Sequence, residues 1–173
     1  MIFQFTPYDL EDAREHDEKM YKLRQNAKTH FRCKKGTEII GFLGELAFGR
    51  YLKWLDVTHK QTEIHQHSYG DKYDFWLQEP MLFGSRFIDV KATTRYDTIV
   101  LNERQAEKAK NSENELVLAI IDKNYRFAQL AGHASPSMLR RAPHRDFTWD
   151  GKKIIMYEIP KEFLKPMPSR EIY

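Results

Sequence analysis

The spacing of apolar and polar residues predicts six consecutive elements in the middle of the chain. They are a helix over residues 38–55, strands over 73–77, 87–92 and 98–101, a helix over 103–110 and a strand over 115–121. Apolar residues recur every three or four positions in the first segment, as in a helix, whereas the last segment is an unbroken apolar run, as in a strand buried on both faces. The order αβββαβ predicts an α/β or α+β fold with a central mixed sheet flanked by helices.

Two extensions flank this core. We treat residues 1–173 as one domain, since this length is within the usual range for one domain. Residues 1–36 are a predicted N-terminal extension, in which a helix over about residues 7–30 begins at a Thr-Pro pair. Residues 37–123 are the core, and residues 124–173 are a predicted C-terminal extension with a hairpin, a short helix and a tail.

Three acidic residues and one lysine interrupt the apolar pattern of the core elements. Asp89 and Lys91 lie two residues apart in an apolar strand, so they point to the same face. Asp74 interrupts an aromatic strand, and Glu45 is the only charged residue in the centre of the first core helix. Burying a charged side chain is costly unless a metal, a substrate or a partner charge offsets its desolvation. These four residues are therefore the candidate site.

The order Glu45, Asp74, Asp89-Val90-Lys91, on a helix and two later strands, resembles the PD-(D/E)xK nuclease superfamily, which has the restriction-endonuclease-like fold. In that family a helical glutamate, an aspartate of the second core strand and an acid-x-Lys motif of the third converge at one edge of the sheet. The resemblance covers about residues 37–123. The proline of the family's name is absent, since the residue before Asp74 is a tyrosine.

The resemblance implies a Mg²⁺-dependent nuclease that hydrolyses phosphodiester bonds in DNA, an endonuclease rather than an exonuclease, with Mn²⁺ as the expected substitute. Mg²⁺ requires oxygen ligands, activates a water molecule and neutralises charge on the phosphate. Asp74 would bridge the metal, and Asp89 with the Val90 carbonyl would complete its ligands. Glu45 would hold a second metal or its water shell. Lys91 would orient the attacking water or stabilise the charge on the phosphate.

The helix that carries Glu45 also contains three glycines, although each internal glycine costs a helix about 1 kcal/mol relative to alanine. Their presence indicates that another group approaches the helix backbone closely. Gly41 and Gly49 lie on the same stripe as Glu45, so we expect this stripe to admit a nucleic acid backbone. Thr37 is the predicted N-cap of the helix.

Each candidate residue also has an ordinary structural explanation. Asp89 and Lys91 would form a surface ion pair, Glu45 would be solvated, and Asp74 would belong to a turn at the end of a strand. The chain would then be a catalytically silent nucleic-acid-binding or protein-interaction module with the same fold. Inactive members of such folds usually lose an acid or the lysine, and all four residues are present here.

Two basic clusters are candidate DNA contacts in a chain whose net charge is +3. The first contains Lys28, Arg32, Lys34 and Lys35, and the second contains Arg140, Arg141 and Arg145. Aromatic residues follow the second cluster, and this combination suits phosphate contact and base stacking. A solvated helix face and an exposed loop explain the same clusters without a ligand.

Several other classes of site are excluded or disfavoured. Cys33 is the only cysteine, which excludes an intrachain disulfide, an iron–sulfur cluster and a cysteine-rich zinc site. His65 and His67 share a predicted strand face, but no further ligand lies at the spacing of a zinc site. No apolar run is long enough to span a membrane, so we expect no membrane partner and a cytoplasmic location. A homodimer is compatible with the sequence.

Overall fold

Nine strands and four α-helices form the part of the chain that a computed structural model describes, which comprises residues 1–26, 36–62, 73–95, 97–149 and 152–170. The strands are β1 (Ile2–Gln4), β2 (His59–Gln61), β3 (Phe75–Leu77), β4 (Phe87–Thr93), β5 (Thr98–Asn102), β6 (Glu115–Ile121), β7 (Phe127–Ala134), β8 (His144–Trp149) and β9 (Lys152–Pro160). The helices are α1 (Pro7–Asn26), α2 (Thr37–Trp54), α3 (Glu103–Asn111) and α4 (Pro136–Arg140).

The strands form two sheets. Six of them make a mixed sheet in the order β1-β7-β6-β4-β3-β2, in which β4 and β6 are parallel and every other neighbouring pair is antiparallel. A parallel pair needs a crossover connection, and here β5 and α3 supply it. Strand β5 pairs with β9, which pairs with β8, so these three form a second, antiparallel sheet.

Helix α2 covers one face of the six-stranded sheet because its apolar stripe and that face bury each other. Leu43 and Phe48 of the helix are fully buried in one core with Phe75, Ile88 and Val90 of the sheet. The rings of Phe48 and Phe75 meet edge to face, with their centroids 5.1 Å apart. Since strand residues alternate between faces, the odd-numbered residues of β4 point away from α2.

Gly44 sets the distance between α2 and the sheet. A Cβ atom at this position would lie 2.6 Å from the Cβ of Ala92 and 3.3 Å from the Cβ of Ala119. The glycine therefore lets the helix backbone lie directly on β4 and β6. The predicted close approach to this helix is confirmed at Gly44, and the approaching group is the sheet.

The other face of the sheet is covered at β6 by α3, α4 and the second sheet. Leu116 and Leu118 are buried there with Ile99, Leu101 and Ala106. This second core lies beside the odd-numbered face of β4, because Asp89 and Lys91 are the register partners of Leu116 and Leu118.

Helix α1 holds both ends of α2 through two buried aspartates. Asp9 Oδ1 accepts a hydrogen bond from Arg50 Nη2 at 2.7 Å. The carboxylate of Asp17, which is 2% exposed, accepts hydrogen bonds from the backbone N–H groups of Gly36 at 2.9 Å and Glu38 at 3.2 Å. The prediction that Thr37 caps α2 is wrong, since Gly36 is the N-cap residue and Asp17 supplies the carboxylate.

The predicted order of core elements is confirmed from α2 to β6, with β2 as an additional strand. The C-terminal hairpin is also confirmed, as β8 and β9. Strand β5 differs from the prediction because it leaves the central sheet to pair with β9. The predicted helix over residues 7–30 is described as far as Asn26, and its remainder lies outside the described residues. Within the described ranges, no helix combines the length and apolar character needed to cross a membrane.

Candidate functional site

Strand β4 presents Asp89 and Lys91 on the sheet face opposite α2. The ammonium of Lys91 donates a hydrogen bond to Asp89 Oδ1 at 2.8 Å. The two side chains are 18% and 27% exposed, so this ion pair is half-buried, not a solvated surface pair. The shared face that strand alternation predicts is confirmed.

Asp74 lies just before β3. One of its carboxylate oxygens accepts a hydrogen bond from β4 that a backbone carbonyl would accept in a regular antiparallel ladder. Its backbone N–H donates to the Ile88 carbonyl at 2.8 Å, as in an antiparallel pair. Its side chain Oδ2 then accepts a hydrogen bond from the Val90 N–H at 2.6 Å. The carboxylate is therefore at the end of β3, close to the plane of the sheet. The Val90 carbonyl is directed toward the same edge, because the N–H and C=O of one strand residue point the same way.

Glu45 approaches from the other face of the sheet, since it lies on α2. Its Oε2 accepts a hydrogen bond from Gln61 Nε2 of β2 at 3.3 Å. The sequence gives no signal for this contact, because Gln61 belongs to a three-residue strand with no apolar pattern. The carboxyl of Asp74 interacts electrostatically with Glu45 and with both members of the Asp89–Lys91 pair.

The charges of Glu45, Asp89 and Lys91 act on the carboxyl group of Asp74. Asp74 is half-buried as a residue, but its carboxyl group is enclosed by protein atoms. Burial, followed by the charges of Asp89 and Glu45, raises the pKa of Asp74 well above its ordinary value, and Lys91 and the Val90 N–H offset this only in part. Burial is the largest of these causes, and the two neighbouring carboxylates add to it.

Lys91 responds to the same charges in the opposite direction. Burial by itself lowers the pKa of Lys91, but the charges of Asp89, Asp74 and Glu45 outweigh burial and raise that pKa above its ordinary value. Lys91 is therefore a protonated cation at neutral pH, able to donate hydrogen bonds but not to accept a proton.

The donor chemistry of the site fits a hard divalent cation. The carboxylates of Glu45, Asp74 and Asp89 and the Val90 carbonyl are all oxygen ligands, the type that Mg²⁺ prefers. The raised pKa of Asp74 is consistent with this fit, because burial and the neighbouring carboxylates raise it and a bound cation would favour the ionised form. Among the described residues, no three His, Cys, Asp or Glu side chains are already grouped as a metal site. Glu45 on the α2 face and the Asp89–Lys91 pair on the opposite face are therefore not assembled around one point, contrary to the convergence that the resemblance implies.

The glycines of α2 have different surroundings. Apart from the backbone of α2 itself, no atom of the described residues lies within 4 Å of the position that a Cβ of Gly41 would occupy, so this part of the predicted stripe is open to that extent. Gly49 is buried, and a Cβ there would lie 3.6 Å from the ring of Phe75. The expectation that Gly49 leaves room for a nucleic acid backbone is therefore wrong.

A cavity of about 300 Å³ adjoins Lys91 at the junction of the two sheets. Residues of β4, β5 and α3 line it, including Thr93, Thr98 and Gln105. Gln105 also closes the N-terminus of α3, since its Oε1 accepts from the Asn102 N–H at 3.1 Å. The cavity gives a small polar group access to the Lys91 side of the site.

The predicted DNA-contacting residues fall into two groups. Arg140, Arg141 and Arg145 lie exposed on α4 and β8, where Arg140 donates to the Lys110 carbonyl and Arg145 pairs with a glutamate of β9. The other cluster, Lys28, Arg32, Lys34 and Lys35, lies outside the described residues, as do His65 and His67.

No protein-family model, curated protein or solved structure matches this chain with significant similarity.

Proposed function

We propose that this protein is a Mg²⁺-dependent nuclease that hydrolyses phosphodiester bonds in DNA, with a site made of Glu45, Asp74, Asp89 and Lys91. The observation that carries the proposal is the enclosed carboxyl of Asp74, whose pKa two other carboxylates raise while a lysine opposes them. The site combines three carboxylates with one ammonium, so its formal charges sum to a negative value, and the carboxyl of Asp74 is enclosed by protein atoms. Such an arrangement is typical of a site that binds a cation.

The proposed roles follow from the positions of the groups. Asp74, Asp89 and the Val90 carbonyl would hold Mg²⁺ at the sheet edge, and Glu45 would hold a second ion or its water shell. When bound, Mg²⁺ supplies an activated water and neutralises charge on the phosphate. Lys91 would stabilise the phosphate or orient the water as a hydrogen-bond donor, because its raised pKa keeps it protonated.

We also propose that the chain belongs to the PD-(D/E)xK nuclease superfamily. The order of the site residues on α2, before β3 and in β4 supports this, as does the parallel pairing of β4 with β6 across a helical crossover. The proposed cleavage is internal, as expected of an endonuclease.

The test is incubation with supercoiled plasmid and with end-labelled linear duplex, with and without Mg²⁺. We expect nicking and linearisation of the plasmid in Mg²⁺ and none in EDTA. Asp89→Asn should abolish it, whereas Asp146→Asn, which changes an exposed aspartate paired with Lys153, should not. Release of labelled end nucleotides from the linear duplex, with the supercoiled plasmid left uncut, would contradict internal cleavage.

A specific observation favours the alternative of a catalytically silent DNA-binding module. Lys91 already binds Asp89, and the Val90 N–H already binds Asp74, so two carboxylates are satisfied by the protein itself. A parent protein that binds DNA and cuts it with neither Mg²⁺ nor Mn²⁺ would establish this alternative.

A further inference from the structure

A row of aromatic and basic side chains crosses the sheet beside Asp89, on the face opposite α2. Lys60 of β2, Trp76 of β3 and Phe87 of β4 are register partners across three neighbouring strands. Register partners lie side by side on one face of a sheet. Phe75 and Ile88, the neighbours of Trp76 and Phe87, belong to the α2 core, which confirms that the row points the other way.

The side chains of this row contact one another. The ammonium of Lys60 lies 5.8 Å from the centre of the Trp76 ring, within the range of a cation–π contact. Tyr73 adds a second ring to Phe87, with the two ring centroids 4.8 Å apart. We call Lys60, Tyr73, Trp76 and Phe87 the aromatic row.

The three rings of this row lie outside both hydrophobic cores of the described residues. Tyr73, Trp76 and Phe87 are half-buried and belong to neither core of the described residues, whereas the same sheet face at β6 is covered by α3 and the second sheet. Large aromatic side chains outside a core lose the stabilisation that burial would provide. The exposed part of these rings is therefore available to a ligand.

The row leads directly into the proposed site. Phe87 and Asp89 lie two residues apart on one face of β4, a separation of about 7 Å. Asp74 directly follows Tyr73 in the chain. A ligand lying on the rings would consequently extend to the carboxylates and to Lys91.

We propose that the aromatic row binds the unpaired bases of single-stranded DNA, so that the strand next to the cleaved bond lies on Trp76 and Phe87. This assignment of substrate rests on the proposed nuclease function. Stacked aromatic side chains with a neighbouring cation hold single strands, because every base has a π-face and the cation contacts the phosphates. Duplex DNA fits less well, since the faces of its bases are covered by the neighbouring base pairs.

The test is binding of a labelled oligo(dT), and of a blunt duplex of the same length, by the full-length protein in EDTA. We expect Trp76→Leu and Phe87→Leu each to weaken oligo(dT) binding roughly tenfold, and to change duplex binding much less. Trp76→Phe keeps a ring and should retain most of the affinity. Trp54→Leu is the matched control, because Trp54 is also partly exposed but stacks on Tyr51 at the end of α2.

Intrinsic fluorescence provides a second measurement that does not depend on the leucine variants folding. In a Trp54→Phe/Trp149→Phe background, which leaves Trp76 as the only tryptophan, oligo(dT) should quench tryptophan emission. Absence of quenching in this background would overturn the proposal. Equal losses of duplex and oligo(dT) affinity in Trp76→Leu, or a parent that binds no oligo(dT), would overturn it as well.

Failure of this proposal is distinguishable from failure of the proposed function. A parent that binds oligo(dT) through Trp76 but cuts no DNA in Mg²⁺ would keep the aromatic row and contradict the nuclease. A parent that cuts DNA while Trp76→Leu binds oligo(dT) normally would keep the nuclease and contradict the aromatic row.

Discussion

The carboxyl group of Asp74 occupies a position in the sheet where a backbone carbonyl would ordinarily complete the ladder. It accepts a hydrogen bond from Val90, yet burial and the charges of Asp89 and Glu45 disfavour its ionised form. A neutral acceptor of the same shape would keep the hydrogen bond without the repulsion. In the absence of metal, the negative charge of Asp74 therefore destabilises the fold.

This destabilisation predicts a pH dependence with a defined sign. The pKa of Asp74 is higher in the folded protein than its ordinary value of 3.8, so between these two values the folded state binds more protons than the unfolded state. The contribution of Asp74 to stability therefore falls as pH rises through this window. In EDTA, Asp74→Asn should melt higher than the parent at pH 7, and the difference should shrink toward pH 4. An equal or lower melting temperature for Asp74→Asn at pH 7 would contradict the charge assignment.

A second prediction concerns Lys91, which we expect to act on the phosphate and not as a metal ligand. Lys91→Ala should reduce cleavage by roughly a hundredfold or more, the scale expected for losing one electrostatic group at a reacting centre. Mg²⁺ affinity, measured by calorimetry, should be unchanged or higher, because the ammonium no longer competes for Asp89. A large loss of Mg²⁺ affinity in a folded Lys91→Ala protein would contradict this role.

At the scale of elements, the glycines of α2 provide a matched pair of substitutions. Gly44→Ala places a methyl group against the Cβ atoms of Ala92 and Ala119, which cannot rotate away, so we expect a loss of about 1–3 kcal/mol in unfolding free energy. Gly41→Ala meets no atom of the other described elements within 4 Å and should stabilise the helix by up to about 1 kcal/mol. Denaturant unfolding measures both. Equal effects of the two substitutions would show that α2 does not lie directly on the sheet.

Another prediction at this scale concerns the position of α2, which depends on Asp17. Asp17→Ala removes the carboxylate that binds the Gly36 and Glu38 N–H groups, and should cost about 1–2 kcal/mol. Asp12→Ala, on the exposed side of α1, is the control and should change stability by less than about 0.5 kcal/mol. A loss no larger than that of Asp12→Ala would exclude Asp17 as the cap of α2.

The sequence predicted those elements whose pattern is local. The helix of Glu45 and the strand of Asp89 and Lys91 are long enough for the periodicity of their apolar residues to define them. The cap from Asp17 and the hydrogen bond from Gln61 join residues at least 16 positions apart, so no local pattern predicts them. Asp74 was predicted inside a strand, and it lies one residue before β3, where its side chain replaces a ladder group.

At the scale of the whole molecule, the sequence predicted the succession of core elements but not their division between two sheets. The sequence pattern of β5 does not differ from that of a strand in the central sheet. Its partner β9 begins about 50 residues later in the chain. Pairing across such a distance is decided by tertiary packing. The sequence likewise predicts which carboxylates form the candidate site. It does not predict their electrostatic interaction with Asp74, because that interaction depends on the three-dimensional arrangement.

The surface charge of the molecule predicts how DNA binding responds to salt. Affinity should fall linearly with the logarithm of salt concentration, because each basic residue at a phosphate releases counterions. Arg141→Ala should reduce the slope by about one. Arg145→Ala should have a smaller effect, since Glu158 lies 3.2 Å from its guanidinium and already neutralises it. An affinity that does not change with salt would contradict DNA as the partner.

The central claim is that the carboxylates around Asp74 hold the metal for DNA cleavage. The most direct test is a cleavage time course at saturating Mg²⁺ for the parent and for Asp74→Asn, with the melting temperature of each as the folding control. Asn preserves the shape and the hydrogen bond from Val90 but removes the charge that Mg²⁺ requires. We predict that the parent cuts DNA, whereas Asp74→Asn is folded, binds DNA equally well or more tightly, and does not cut. Equal cleavage by the parent and Asp74→Asn would contradict the claim.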